Sequence, residues 1–203
     1  MDEPAGPPPD LRGLVLAGGR SERLGRDKAA LLIDGEPLLA RAVAALSGVV
    51  SDVRIAVRPD QLDESLRRRF ALLPDVAEGI GPAAGILAAH RLFPDAAWLV
   101  LACDMPGVTR YMLATLVGQR DITRPATAFQ APTDGLPEPL CAIYEPATLT
   151  RFRRQVEAGG NLSPRSWLVA ERPALLAAPG ADALSSINTP ADLDRLNRPW
   201  RAQ

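Results

Sequence analysis

Leu14-Val15-Leu16-Ala17 carries no polar side chain and ends in Gly18-Gly19. A short apolar run closed by glycine reads as a strand buried on both faces, the kind found in parallel sheets covered by helices. The loop that follows brings Arg20, Arg23, Gly25 and Lys28. Glycines let backbone N–H groups approach an anion with no Cβ in the way, and cations neutralise it. The segment is neither Gly-x-x-x-x-Gly-Lys-Ser/Thr nor Gly-x-Gly-x-x-Gly. Adjacent glycines, with a lysine after a further glycine, indicate a loop wrapped over a triphosphate, Lys28 reaching back to it. A lone Gly-Gly would be an ordinary strand-to-helix turn with solvated charges. The cations in register favour a phosphate cradle.

The rest of the chain agrees with that architecture. Residues 12–17, Val53–Val57, Ala71–Leu73, Ala97–Ala102, Thr127–Phe129 and Leu140–Tyr144 read as strands, the run at 97–102 being central and apolar on both faces. Helical patterning covers 37–47, with Pro37 at the first position, then 61–70 as a charged helix, a segment from the Gly79–Gly85 loop through His90, and 110–117, 147–157, 164–170 and 191–196. Residues 130–139 are a turn-rich loop or hairpin. Strands alternating with helices predict an α/β fold, a mostly parallel sheet covered on both faces. The glycine-rich loop and Asp104 then share the carboxyl edge, where such sheets bind ligands.

At 203 residues one domain is expected, residues 11–203, preceded by an acidic, proline-rich leader over 1–10 that reads as disordered. The leader lacks the basic start and apolar stretch of a signal peptide. No apolar run approaches the ~20 residues of a membrane span. Lys+Arg 23 against Asp+Glu 24 leaves no basic excess for nucleic acid. Cys103 and Cys141 make no disulfide framework, so a reducing cytoplasm is the default. His90 is the only histidine, which excludes a multi-histidine metal site. It is expected on a helix surface, with Cys103, Trp98 and Trp167 packed in the core.

Leu16-Ala17-Gly18-Gly19-Arg20-Ser21-x-Arg23-Leu24-Gly25-x-Asp27-Lys28 resembles the signature of nucleoside triphosphate transferases. Asp27-Lys28-Ala29 is most similar to the molybdenum cofactor guanylyltransferases. Sugar-phosphate and isoprenoid nucleotidyltransferases usually have proline before that lysine, and molybdopterin cytidylyltransferases more often asparagine. The resemblance extends through Gly35-Glu36-Pro37-Leu38, Gly81-Pro82-Ala83-Ala84-Gly85, Cys103-Asp104-Met105-Pro106 and Asn188-Thr189-Pro190-Ala191-Asp192-Leu193, nearly the whole chain. It implies a three-layer α/β/α Rossmann-like nucleotidyltransferase fold. It also implies Mg²⁺-dependent transfer of GMP from GTP to molybdenum–molybdopterin, with release of pyrophosphate. The implied partners are GTP, a molybdopterin-type phosphorylated acceptor and, transiently, molybdoenzymes or other cofactor-assembly proteins.

The residues divide accordingly. Leu16, Ala17, Gly18, Gly19, Lys28, Asp75, Gly81, Gly85 and Asp104 are the expected nucleotide-binding set. Lys28, Arg23 and Asp104 are the catalytic set. Lys28 would stabilise the leaving pyrophosphate, and Arg23 could grip phosphate with two N–H groups. Asp104, directly after the central strand, suits Mg²⁺, which takes one or two carboxylates plus substrate phosphates; an aspartate there also suits a turn or helix cap. Asp75 equally suits the nucleoside or a turn after Pro74, and Gly81–Gly85 either a close approach to base or ribose or a plain helix start. Arg165, in Gly159-Gly160-Asn161-Leu162-Ser163-Pro164-Arg165, and Asn188 are acceptor-side candidates, Asn188 near the second substrate or the metal, set against a solvated arginine and the start of a helix capped by Thr189 with Pro190 at its first position. An acceptor phosphomonoester is already ionised near neutral pH, so no general base is needed.

Leu24 stands where the family more often has methionine, and Ala56 and Arg58 where it commonly carries asparagine near the base. The latter departure leaves a CTP-dependent cytidylyltransferase, or transfer to another phosphorylated small molecule, as the alternative. A non-catalytic nucleotide-binding scaffold is the alternative of another class, and it would need neither Lys28 nor Asp104.

Overall fold

The structure, a computed structural model, describes residues 7–19, 25–77, 79–178, 180, 182–189 and 191–192. Its strands are β1 (Leu11–Leu16), β2 (Leu32–Ile33), β3 (Glu36–Pro37), β4 (Val53–Val57), β5 (Leu72–Pro74), β6 (Ala97–Ala102), β7 (Ala126–Gln130), β8 (Pro137–Tyr144) and β9 (Ala174–Leu176). The α-helices are α1 (Leu38–Ser47), α2 (Pro82–Leu92), α3 (Arg110–Gly118), α4 (Pro146–Glu157) and α5 (Pro164–Glu171).

Seven strands form one sheet in the order β5-β4-β1-β6-β8-β7-β9. Only β8 runs against its neighbours β6 and β7; the remaining pairs are parallel. Every residue of β6 is buried, as expected for a central strand with helices on both faces. Successive strand residues point to opposite faces and build two cores. Val15, Ile55, Leu99 and Leu101 pack with Leu39, Leu46, Leu113 and Leu116 of α1 and α3. Leu14, Ala56, Trp98 and Val100 pack with Ile86, Leu149 and Leu168 of α2, α4 and α5. The result is the expected three-layer, mostly parallel α/β arrangement.

Register decides where the site lies. Leu16 pairs with Ala56 on one side and Ala102 on the other. Ala17 N–H donates to Ala56 O at 3.0 Å and Cys103 N–H to Leu16 O at 3.1 Å. The chain segments leaving β1, β4 and β6 therefore emerge together, carrying Gly18, Arg58 and Asp104 to one edge.

Several local expectations need correction. Residues 61–70 do not form a helix but lie between and within short 3₁₀ turns at Pro59–Gln61 and Arg67–Arg69. Leu62, Leu66 and Phe70 pack on the core while the Arg67 side chain is drawn fully inside, so tertiary partners outweigh helix patterning. Pro37 precedes α1 as its N-cap rather than opening it, because it belongs to β3. The β2–β3 hairpin turns on Asp34-Gly35, at φ 52° and 80°. This two-residue Asp-Gly turn is a strong hairpin signal that the helical reading passed over. The 130–139 excursion is a hairpin, closed by Ala131 N–H to Leu136 O at 2.7 Å, and β8 begins earlier than expected, at Pro137. The short edge strand β9 was not anticipated.

His90 is buried, not exposed: α2 is covered by the sheet on one side and α4 on another, and His90 Nε2 lies 3.2 Å from Thr150 Oγ1. Burial, then Arg153, pushes its pKa down. Trp98, Trp167 and Cys103 are in the core as expected. Most of the expected leader, residues 1–6, and the 191–196 helix from residue 193 onward lie outside the described residues. Pro9 O accepts from Arg120 Nη1 at 3.1 Å and Asp10 O from Ala97 N–H at 2.9 Å. Among the described residues, no helix is long and apolar enough to cross a membrane.

Candidate active site

The shared edge of β1, β4 and β6 opens on a cavity of about 540 Å³. Leu16, Ala17, Gly18, Gly19, Lys28, Asp75, Gly81, Gly85, Asp104 and Asn188 all line it. Arg23, with Arg20 and Leu24, lies outside the described residues. Arg165 does not line the cavity; it donates to Asp134 at 2.9 Å and Glu138 at 3.0 Å. Glu138 lies on β8 two residues before Leu140, which does line the cavity.

Lys28 stands where three chain segments meet. Asp27 caps the 3₁₀ turn Lys28–Ala30 by accepting from Ala29 N–H at 3.1 Å. The Lys28 ammonium donates to Asp104 Oδ2 at 2.7 Å and Asn188 Oδ1 at 2.8 Å. Asn188 arrives on a segment tied to Asp104 itself, through Ile187 N–H to Asp104 O at 2.9 Å. The Asp192 carboxylate accepts from Asn188 and Thr189 N–H at 3.0 and 2.8 Å. A side chain on Gly107 would strike the backbone at Ala183, 2.8 Å away, so glycine there lets this segment cross.

At Gly18 and Gly85 the cavity wall has no room for a side chain. A Cβ on Gly18 would fall 2.9 Å from Asp75 Oδ2, and one on Gly85 would fall 2.6 Å from Ala56 Cβ and 2.8 Å from Leu16 Cδ2. The Asp75 carboxyl occupies the space so created. Its Oδ1 has no hydrogen-bond partner among the described residues, and burial, opposed by Arg58, pushes its pKa up to about 6. Arg58 is held by Asp60 at 2.9 and 2.8 Å and donates to Gly18 O at 2.7 Å.

Arg67 was missed. Its guanidinium is fully buried and donates to Ala17 O at 2.9 Å, to both Asp27 oxygens at 2.6 and 3.0 Å, and to Glu64. In sequence it is one of three consecutive arginines in a charged run, with nothing local to mark it. Cys103 packs in the core, and burial, then Asp104, pushes its thiol up to about 12, which disfavours the thiolate a nucleophile would need.

The described residues contain no cluster of three His, Cys, Asp or Glu side chains able to hold a metal. Asp104 and Asn188 nonetheless bring two oxygens onto one cationic group. A hard-oxygen pair of this kind fits Mg²⁺, which draws its other ligands from phosphates and water.

A parallel sheet that gathers a glycine turn, a lysine and a carboxylate at its carboxyl edge defines a phosphate-binding α/β domain. Residues 13–174 match the MobA-like NTP transferase domain, and the chain belongs to that family. It is 34% identical to the probable molybdenum cofactor guanylyltransferase of Opitutus terrae, covering 93% of this chain and 95% of the relative. It is 30% identical to the molybdenum cofactor biosynthesis bifunctional protein of Synechocystis over 92% of its own length, but spans only 54% of that longer protein. The solved structure of molybdopterin-guanine dinucleotide biosynthesis protein A from Archaeoglobus fulgidus matches with a TM-score of 0.69 at 27% identity, covering 92% and 96% of the two chains. The fold is the α/β nucleotidyltransferase fold.

Proposed function

We propose that this protein is an Mg²⁺-dependent nucleotidyltransferase that moves GMP from GTP to the phosphate of molybdenum–molybdopterin and releases pyrophosphate. The observation that carries the reading is the convergence of Lys28, Asp104 and Asn188 beside the Gly18-Gly19 turn. A scaffold that only held nucleotide would not need a lysine and a carboxylate at the same point. The names of the family's relatives supply the guanine nucleotide and the pterin acceptor.

The geometry supports the following roles. Backbone N–H groups of Gly18 and Gly19, both lining the cavity, would receive the triphosphate; Gly19 has open space where a side chain would stand. Lys28 carries its charge on a flexible stem and turns to the β- and γ-phosphates, offsetting charge as pyrophosphate leaves. Asp104 and Asn188 would hold Mg²⁺, which when bound offsets phosphate repulsion and polarises the α-phosphate. The acceptor phosphate attacks in line without a base, and catalysis is positioning and electrostatics. Asp75, once ionised, accepts from the two adjacent N–H donors on the guanine edge, in place of the amide that Ala56 and Arg58 lack. Arg165 stands at the acceptor side. The activity resides in one domain, residues 11–203, acting in the cytoplasm without nucleic acid or membrane.

Calorimetric titration of the four ribonucleoside triphosphates with Mg²⁺ tests this, followed by pyrophosphate release with a molybdopterin acceptor. GTP preference and acceptor-dependent release are expected. Preference for CTP would change the nucleotide and keep the mechanism. Binding of none would overturn the reading, and binding without acceptor-dependent release would favour the scaffold.

A further inference from the structure

We propose that Arg67 is a positioning residue of the transfer reaction: its guanidinium bridges the two ends of the glycine-rich loop and thereby fixes where Lys28 stands. The inference rests on the function proposed above.

Ala17 is the last residue before the loop, and Asp27 immediately precedes Lys28. Arg67 Nη2 reaches both, donating to Ala17 O at 2.9 Å and to Asp27 Oδ1 at 3.0 Å. Nη1 completes a two-pronged grip on Asp27 at Oδ2, 2.6 Å away. The Asp27 oxygen held by Nη2 is the one that accepts from Ala29 N–H and starts the turn carrying Lys28. A continuous path of direct bonds thus runs from Arg67 through Asp27 and its turn to Lys28, and on to Asp104 and Asn188.

The residue type fits the task. A planar guanidinium donates two parallel N–H bonds to a carboxylate and still reaches a carbonyl; an ammonium cannot reproduce that pattern. At 0% exposure Arg67 is the most deeply buried charged side chain among the described residues. Buried ion pairs are often no better for stability than apolar replacements, so its place at the base of this loop requires another reason. A rigid guanidinium that holds Asp27 against Ala17 O acts as a brace and fixes the turn that presents Lys28.

The test is a double-mutant cycle with Arg67→Lys and Asp27→Asn. GTP-dependent pyrophosphate release is measured well below each variant's melting temperature, alongside thermal unfolding. Each single variant is expected to lose about 10–100-fold in kcat, as for a catalytic group displaced by about 1 Å, with a smaller change in KM for GTP. The double variant should lose little more than either single, because one path has been cut twice. Unchanged kcat in a folded Arg67→Lys protein, or losses that multiply in the double variant, would overturn the proposal. Should Arg67→Lys fail to fold, Asp27→Asn decides: reduced kcat with an intact fold supports the brace, and retained kcat refutes it. If the unmodified protein itself neither binds nor turns over GTP, the functional reading falls and takes the brace with it. Normal turnover by the unmodified protein and both variants removes the brace alone.

Discussion

Asp75 should make the empty protein less stable in return for binding. Its pKa rises from 3.8 to about 6 in the folded chain, chiefly through burial. The folded state therefore holds this proton more tightly than the unfolded state, and the contribution of Asp75 to stability falls as pH climbs from about 4 to about 6. Above that window the fold carries an ionised carboxylate with one oxygen unpartnered among the described residues. The shift corresponds to a ceiling of about 3 kcal/mol; cavity water screens part of it, leaving about 1–2 kcal/mol. Asp75→Asn should accordingly be more stable than the unmodified chain by about 1–2 kcal/mol at about pH 8, the advantage shrinking toward zero near about pH 4. Urea unfolding across that range measures it. The same substitution should weaken GTP binding by about tenfold or more, since a hydrogen bond to a charged acceptor contributes about 1.5–3 kcal/mol. Relative to the variant, GTP affinity of the unmodified protein should rise through about pH 6, a comparison that cancels titration of the nucleotide. An Asp75→Asn protein no more stable at high pH, or equally favoured at both ends of the range, would refute the reasoning.

Three further outcomes are expected. Lys28→Ala should lower kcat by about 10²–10³-fold, the range for loss of one preorganised charge-stabilising group; a change confined to acceptor KM would contradict its role. Asp104→Ala should abolish pyrophosphate release while circular dichroism and melting show an intact fold, and near-normal turnover would remove Asp104 as the Mg²⁺ residue. Gly85→Ala places a methyl 2.6 Å from Ala56 Cβ. Helix propensity favours alanine by about 1 kcal/mol, but overpacking against a group with no rotamer to move costs about 1–3 kcal/mol. Melting should not rise and GTP affinity should drop; higher melting with unchanged affinity would contradict the close approach.

What local sequence could reveal was governed by how far each element depends on distant partners. β6 announces itself because a strand buried on both faces must be apolar at every position, and Ala97–Ala102 is. β1 and its glycine turn are legible because the apolar run ends at Gly18, where a side chain would fall 2.9 Å from Asp75 Oδ2. Residues 61–70 misled because charge in a helical spacing normally means a solvated face. Here Arg67 turns inward, and the segment breaks into 3₁₀ turns around it. His90 misled for a related reason: a helix packed against both sheet and helix can bury a polar ring once Thr150 supplies a partner. The edge strand β9 is three residues long and takes its identity from pairing with β7 rather than from its own pattern.

The site divides the same way. Gly18, Lys28 and Asp104 could be picked out one by one because each sits in a motif whose chemistry is local. Their relation could not. The ammonium of Lys28 meets an aspartate and an asparagine 76 and 160 positions further along, and only strand register brings them together. Arg67 is the extreme case, 40 residues from Asp27 and 50 from Ala17, with no neighbour that distinguishes it from Arg68 or Arg69. The difference is which side of the chain faces the core, a property of the packed segment and not of the residue. Motifs therefore point to the groups proposed to touch substrate, while the groups that hold those side chains in place become visible only when burial is known. A fully buried charge whose partners flank a motif is the signal to look for.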